Sequence, residues 1–298
     1  MCIRDSSLYG YRSATIFSSL MNLDVSHLFQ SLYMEGGKNF YCYNGASPLP
    51  SAMFSVKYML SSNPVDESPL RTLVGSSNGN YLYRNNYCLP LGYMMSEKAI
   101  KGWESSMLDR IGSLNSLAQQ LGAKGDMLYP AACTQSQAAG DTTIDISEDG
   151  YYYADYVTCN ADSLTVSRDD GWTQQYGKTT HRYLLDLGEC KAGTKIHITN
   201  LNVETIEYHV YRLNFKAMCT AYETLSEQTM SLEKMTDRRI VGSIDVRQAG
   251  RLILSVPADE GWTLYVDGKK TKIKPFADAL IGVHLKEGTH KIELRYTT

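Results

Sequence analysis

Residues Arg251 to Tyr296 leave the backbone little choice, because short β-patterned runs alternate there with tight reversals. Arg251–Val256 and Thr263–Val266 flank the turn Pro257-Ala258-Asp259-Glu260-Gly261. The second run ends in Asp267-Gly268, a dipeptide suited to two-residue hairpins. Glu287-Gly288 then launches a last strand through His290, Ile292, Leu294 and Tyr296. A chain that finishes this way finishes in a β-sandwich.

The same texture reaches back to Thr142. Thr143–Ile146, Tyr151–Val157, Leu164–Ser167, Tyr183–Asp186, Lys195–Thr199 and Tyr208–Phe215 read as short strands separated by turn signals. One helix is expected around Thr220–Met235 before strands resume at Ile240. Within this half the sequence echoes itself: Gly150 matches Gly250, Leu164–Gly171 matches Leu264–Lys270, and Cys190–Asn200 matches Leu285–Tyr296. A rival register sets Asp169-Asp170-Gly171-Trp172-Thr173 against Asp259-Glu260-Gly261-Trp262-Thr263. The first register keeps strand on strand and is preferred. Two related β units and convergent turn chemistry both account for the echo.

The first part of the chain is mixed. Leu8–Ser19 reads as extended and Val25–Tyr33 as a helix stopped by Gly36-Gly37. A second short helix near Pro50–Ser55 precedes a strand through Val56, Tyr58 and Leu60. Leu70–Asn85 is a hairpin reversing at Asn78-Gly79. Ser96 caps an amphipathic helix whose stripe runs through Ile100, Trp103, Met107, Ile111, Leu114, Leu117 and Leu121 up to Gly122. Gly122–Asp141, rich in Ala, Gly, Gln and Ser, reads as a connection. The expected fold class is therefore α+β. A mixed α/β domain over 7–95 leads to an amphipathic helix and connection over 96–141. A sandwich-like β region over 142–298 follows, with its one inserted helix near 220–235.

Composition narrows the function classes. A net charge of −3 without a basic run argues against nucleic-acid binding, since neutralising phosphates takes clustered Lys and Arg. Tyrosine is over-represented, 22 against 6 Phe, which suits half-buried strands, interfaces and sugar-binding faces. No apolar run is long enough to span a bilayer, and Met1–Ser6 lacks the features of a signal peptide and is set aside as a junction. The cysteines form no CxxC, the histidines no HExxH, and no P-loop, nucleophile elbow or dinucleotide fingerprint is present. No metal, cofactor or catalytic residue is implied. Two clusters invite a ligand: Asp259, Glu260 and Trp262, and Asp169, Asp170 and Trp172. In each, the acids can accept hydroxyl hydrogen bonds while the indole stacks on a sugar face. Each also fits a solvated turn followed by a buried strand residue, and that reading is favoured.

Several segments, in order, resemble the YfhO-type family of bacterial membrane proteins. They are LYGYRSATIFSSLMN, YNGASPLPSAMFSVKYMLSS, NYLYRNNYCLPLGYMM, and the terminal block LILSVPADEGWTLYVDGKK…FADALIGVHLKEGTHKIELRY. The terminal block is the most specific of them. Ala258 stands where the family usually has Tyr. The resemblance implies a polytopic membrane protein related to lipid-linked-sugar glycosyltransferases, which decorate envelope polymers of the teichoic-acid type. This chain would be its noncatalytic extracytoplasmic portion. Its partners would be the transmembrane part of the same polypeptide and an envelope glycan or polyprenyl-phosphate sugar. The catalytic acid would lie in the membrane part, so no catalytic residue is carried over. A stand-alone carbohydrate-binding β-sandwich and a ligand-free assembly domain are the competing expectations.

Overall fold

The computed structural model describes residues 13–18, 21–65, 67–157, 159–202 and 205–297. Its first part holds helices α1 (Leu23–Ser31) and α2 (Pro48–Met53). Its strands are β1 (Ile16–Phe17), β2 (Glu35–Gly37), β3 (Phe40–Cys42), β4 (Tyr58–Ser61), β5 (Arg71–Ser77), β6 (Asn80–Asn85) and β7 (Gly92–Met95). Helices α3 (Glu97–Gly102) and α4 (Arg110–Gln120) follow. Next come β8 (Leu128–Pro130), β9 (Cys133–Ala138), β10 (Asp141–Ile146), β11 (Gly150–Tyr156), β12 (Ser163–Arg168) and β13 (Thr173–Gly177). Then come β14 (Leu185–Cys190), β15 (Lys195–Thr199) and β16 (Tyr208–Leu213). Helix α5 (Phe215–Ser226) precedes β17 (Ser231–Met235), β18 (Arg239–Val246), β19 (Gly250–Pro257) and β20 (Trp262–Val266). The last strands are β21 (Lys269–Thr271), β22 (Leu280–Leu285) and β23 (Gly288–Tyr296). Strand outweighs helix, 45% against 17%, so the molecule is mostly β with a minor helical layer.

Two sandwiches repeat one topology. The five-stranded sheet of the first runs β13-β12-β15-β10-β9, and that of the second runs β21-β20-β23-β18-β17. Strand for strand these orders are the same. The inner sheets correspond as well, because β11 pairs with β14 and β19 pairs with β22, with Gly150 opposite Cys190 and Gly250 opposite Leu285. The preferred register of the sequence echo thus aligns equivalent strands. The rival register aligns the β12–β13 reversal with the β19–β20 reversal, which occupy different places in the topology.

Burial patterns explain the layering. Strand β10 alternates, with Thr142, Ile144 and Ile146 buried, so one face meets the sandwich core and the other meets solvent. Strand β11 is buried on both faces. Tyr152, Ala154 and Tyr156 fill the first sandwich, while Tyr151 and Tyr153 enter a central core with α1, α4 and α5. Strand β19 does the same for the second sandwich, Leu252 and Leu254 facing its interior and Ile253 the central core. A helical layer therefore lies between two sandwiches. Strand β7 joins this arrangement as the third strand beside β19, with Met94 opposite Leu252.

Several local expectations shift. The extended reading of Leu8–Ser19 falls partly, and Met1–Ser6 wholly, outside the described residues; inside them, Ile16 and Phe17 form β1. The amphipathic helix from Ser96 is two helices. Serines 106, 113 and 116 break it: Ser106 N–H donates to Ser113 Oγ at 2.7 Å and Glu104 N–H to Ser116 Oγ at 3.0 Å. Asp109 then caps α4 by accepting from Gly112 N–H at 2.9 Å. Gly122–Asp141 contains β8 and β9, the latter an exposed edge strand whose polar sequence hid it. The helix expected at Thr220–Met235 begins earlier, where Asn214 Oδ1 accepts from Ala217 N–H at 3.1 Å, and Ser231–Met235 is strand β17.

Candidate functional site: a tyrosine-lined cleft

Local turn chemistry builds one wall of the site. Strands β5 and β6 reverse at Asn78-Gly79, both in the left-handed region (φ 50° and 74°), and hold β4 as the free edge of a three-stranded sheet. Strand β13, the edge of the first sandwich, stands opposite. Between Tyr58–Asn63 on one side and Trp172–Lys178 on the other opens a cleft of about 540 Å³. Its floor carries Tyr43, Arg71, Asn85, Tyr153 and Asp186.

The floor is a closed hydrogen-bond system. Arg71 Nη2 donates to Asp186 Oδ2 and to Tyr151 Oη, each at 2.5 Å, and Tyr151 Oη donates to Asp186 Oδ2 at 2.8 Å. Asp186 Oδ1 accepts from Gly188 N–H at 3.0 Å, and Tyr176 Oη donates to the Asp186 carbonyl. Asn85 Nδ2 donates to Tyr43 Oη at 3.1 Å and to the Val56 carbonyl at 2.8 Å. Burial works against the Arg71 charge, but the Asp186 carboxylate bonded to it helps hold the guanidinium protonated. Burial also pushes Tyr43, Tyr151, Tyr153 and Tyr176 upward, keeping these hydroxyls neutral donors. Beside them Glu35 is buried, with His181 Nδ1 at 2.5 Å from Oε1 and Asn44 Nδ2 donating to Oε2 at 2.7 Å. Burial raises the Cys42 thiol, so this cleft cysteine is not a poised thiolate.

Two buried polar atoms in the wall have no hydrogen-bond partner among the described residues, Trp172 Nε1 and Gln174 Oε1. Such an orphan costs about 1–3 kcal/mol unless a partner arrives. Trp172 is held in place from the side. The Arg168 guanidinium lies 4.6 Å from its ring centroid and is itself anchored by Nη1 donating to the Glu189 carbonyl at 3.0 Å.

Of the residues the sequence singled out, only Trp172 lines the cleft. Asp169 and Asp170 are exposed at the adjoining hairpin tip, where Asp170 accepts from Trp172 N–H at 2.9 Å and pairs with Arg168 at 3.1 Å. Asp259, Glu260 and Trp262 sit in the second sandwich at the β19–β20 reversal. Asp259 Oδ1 accepts from Gly261 N–H at 2.8 Å, and Trp262 meets the Tyr296 ring edge-on at 5.0 Å. The two clusters do not converge. Sequence reasoning missed Arg71, Asp186, Gln174 and the floor tyrosines; the tyrosine excess and the unbroken GYYYADY of β11 were the only signals of them. Among the described residues no His, Cys, Asp and Glu group is arranged to hold a metal ion.

The cleft is a polar, aromatic surface on a double-sandwich β protein. The family model "Bacterial membrane protein YfhO" matches residues 4–298, and the chain belongs to that family. No helix among the described residues is long and apolar enough to cross a membrane. No curated protein sequence matches the chain. Two solved structures bear a distant likeness. A cupin 2 conserved barrel domain protein from Leptotrichia buccalis is 11% identical, with 57% of this chain and 91% of that one covered at a TM-score of 0.15. Quercetin 2,3-dioxygenase from Acinetobacter baumannii is 6% identical, with 56% and 77% covered at a TM-score of 0.13.

Proposed function

We propose that the chain is a noncatalytic, extracytoplasmic part of a membrane protein related to lipid-linked-sugar glycosyltransferases. In this reading it serves glycosylation of a cell-envelope polymer of the teichoic-acid type. It presents the acceptor glycan to the transmembrane part of the same polypeptide. Membership of a membrane protein family supports the setting. The observation that carries the binding role is the cleft itself: tyrosines and Trp172 offer flat apolar faces, and Asn85 and Gln174 offer amides. Sugars present both C–H faces and hydroxyls, and such a lining meets both.

Calorimetric titration of the chain with envelope oligosaccharides tests this. Binding should fall at least about tenfold in Trp172→Ala and Gln174→Ala, because each removes a stacking face or an amide from the wall. Trp262→Phe, in the other sandwich, should bind as the parent does. Equal affinity in all four proteins would remove the cleft from the proposal.

A further inference from the structure

Exposed apolar side chains gather on one sheet of this chain. Of the thirteen large hydrophobics exposed among the described residues, five lie on β4, β5 and β6: Tyr58, Leu60, Leu73, Val74 and Leu82. Single exposed apolar residues are ordinary, but a group of them on one small sheet marks a docking surface. The usual strand pattern is also inverted here. Along β4 the exposed positions are Tyr58 and Leu60, while Ser61 is half-buried. Along β6 they include Leu82 and Arg84, with Tyr83 buried between them. Leu60 stands directly opposite Leu82, and Tyr58 opposite Arg84, so all four share one face. Gly75 pairs with Leu82 from the third strand, and a Cβ there would meet no atom within 4 Å. Nothing described covers the face at that point. Leu73, Val74, Leu82 and Arg84 do not line the cleft, so this surface is separate from it, although β4 borders both.

The charges around the face choose its occupant. The three strands carry Arg71 and Arg84 and no acid, and Lys57 immediately precedes β4. Arg71 is committed to Asp186, but Lys57 and Arg84 are exposed and no described carboxylate pairs with either. Lys57 Nζ lies 5.4 Å from the Tyr58 ring centroid, which sets a cation at the border of the apolar face. Glu67, just before β5, is bound to the Leu73 N–H at 3.1 Å. Aliphatic chains and a tyrosine rimmed by unpaired cations suit a bilayer surface. There the apolar groups enter the acyl boundary while Lys and Arg meet anionic headgroups. A protein partner fits less well, because lysine is depleted at such interfaces. We infer that the Tyr58–Leu60–Leu82 face rests on an anionic lipid surface, a peripheral contact made by this chain itself. Membership of a membrane protein family provides such a surface. The contact stands whether or not the cleft takes a glycan.

Flotation of the full chain with two kinds of vesicle tests this, phosphatidylcholine alone and phosphatidylcholine mixed with phosphatidylglycerol. The mixed vesicles should bind the chain at least about tenfold more tightly, and the difference should shrink as salt rises. Leu60→Ser/Leu82→Ser should lower binding to the mixed vesicles about tenfold. Lys57→Gln/Arg84→Gln should abolish the preference for them. Leu201→Ser, at a 91% exposed leucine between β15 and β16, should float as the parent does. All five substituted side chains are exposed, so each variant should also melt as the parent does. Failure of the parent to float with either vesicle overturns the proposal. So does parent-like binding by Leu60→Ser/Leu82→Ser, or an equal loss in Leu201→Ser. A lipid-independent dimer that Leu60→Ser/Leu82→Ser dissolves, without flotation, overturns it too and assigns the face to a second copy of the chain.

Discussion

The Arg71 guanidinium on β5 lies 2.5 Å from the Asp186 carboxylate on β14, joining the N-terminal sheet to the first sandwich across 115 residues of sequence. Both side chains are largely enclosed, 11% and 25% exposed. Removing one partner strands the other without its compensating charge. Asp186→Ala should therefore cost about 2–4 kcal/mol in urea unfolding, and the double replacement Arg71→Met/Asp186→Leu should recover most of it. A single-variant loss under about 1 kcal/mol would reduce the pair to an ordinary surface contact.

Trp103 ties the helical layer to the second sandwich. Its ring stacks on Phe276 at 5.2 Å and 10°, and its Nε1 donates to the Ser113 carbonyl at 2.9 Å. Trp103→Ala should destabilise by about 2–4 kcal/mol, and Trp103→Phe, which keeps the stack but loses the donor, by about 1–2 kcal/mol. Thermal melts of the three proteins would order them; indistinguishable midpoints would show that the stack contributes nothing.

The pH profile of the second sandwich should bend at both ends. The hydrogen bond with Asp267 raises His290, so its contribution is complete below its ordinary value of 6.5 and is lost as pH rises through the elevated folded value. Asp267 is lowered by His290, and Glu293 is lowered to about 2, chiefly by its hydrogen bond with Arg295. Their contributions are complete above the usual carboxylate range and are lost as pH falls through the lowered values. His290→Asn should flatten the alkaline limb of a melting-temperature profile and leave the Glu293 part of the acid limb. An unchanged alkaline limb would remove His290 from the account.

What the sequence revealed and what it concealed divide along sequence separation. The Asn78-Gly79 and Asp267-Gly268 reversals were legible because two residues suffice to set a left-handed turn, and both positions have positive φ. The echo between the sandwiches showed in the sequence because equivalent strands kept their turn chemistry and spacing, but it left convergent turns open until the strand orders matched. The edge strand β9 was not, since a strand exposed along most of its length needs no apolar alternation. Nor was the break before α4, where serine side chains outcompete a helical stripe for backbone bonds. Trp172 stood out in the sequence, but nothing near it in sequence announces Arg71 or Tyr43. Tertiary packing alone brings all three to the lining of one cleft.

The pairing of β7 with β19 sets a timing problem for the growing polypeptide. Met94 is made first, and its partner Leu252 follows only about 160 residues later. At roughly 5–20 residues per second, strand β7 waits on the order of ten to thirty seconds with an apolar edge unfilled. A nascent chain interrupted anywhere in that interval carries a sticky ribbon rather than a finished half. Of the two sandwiches, the second is the one that such a stalled product lacks.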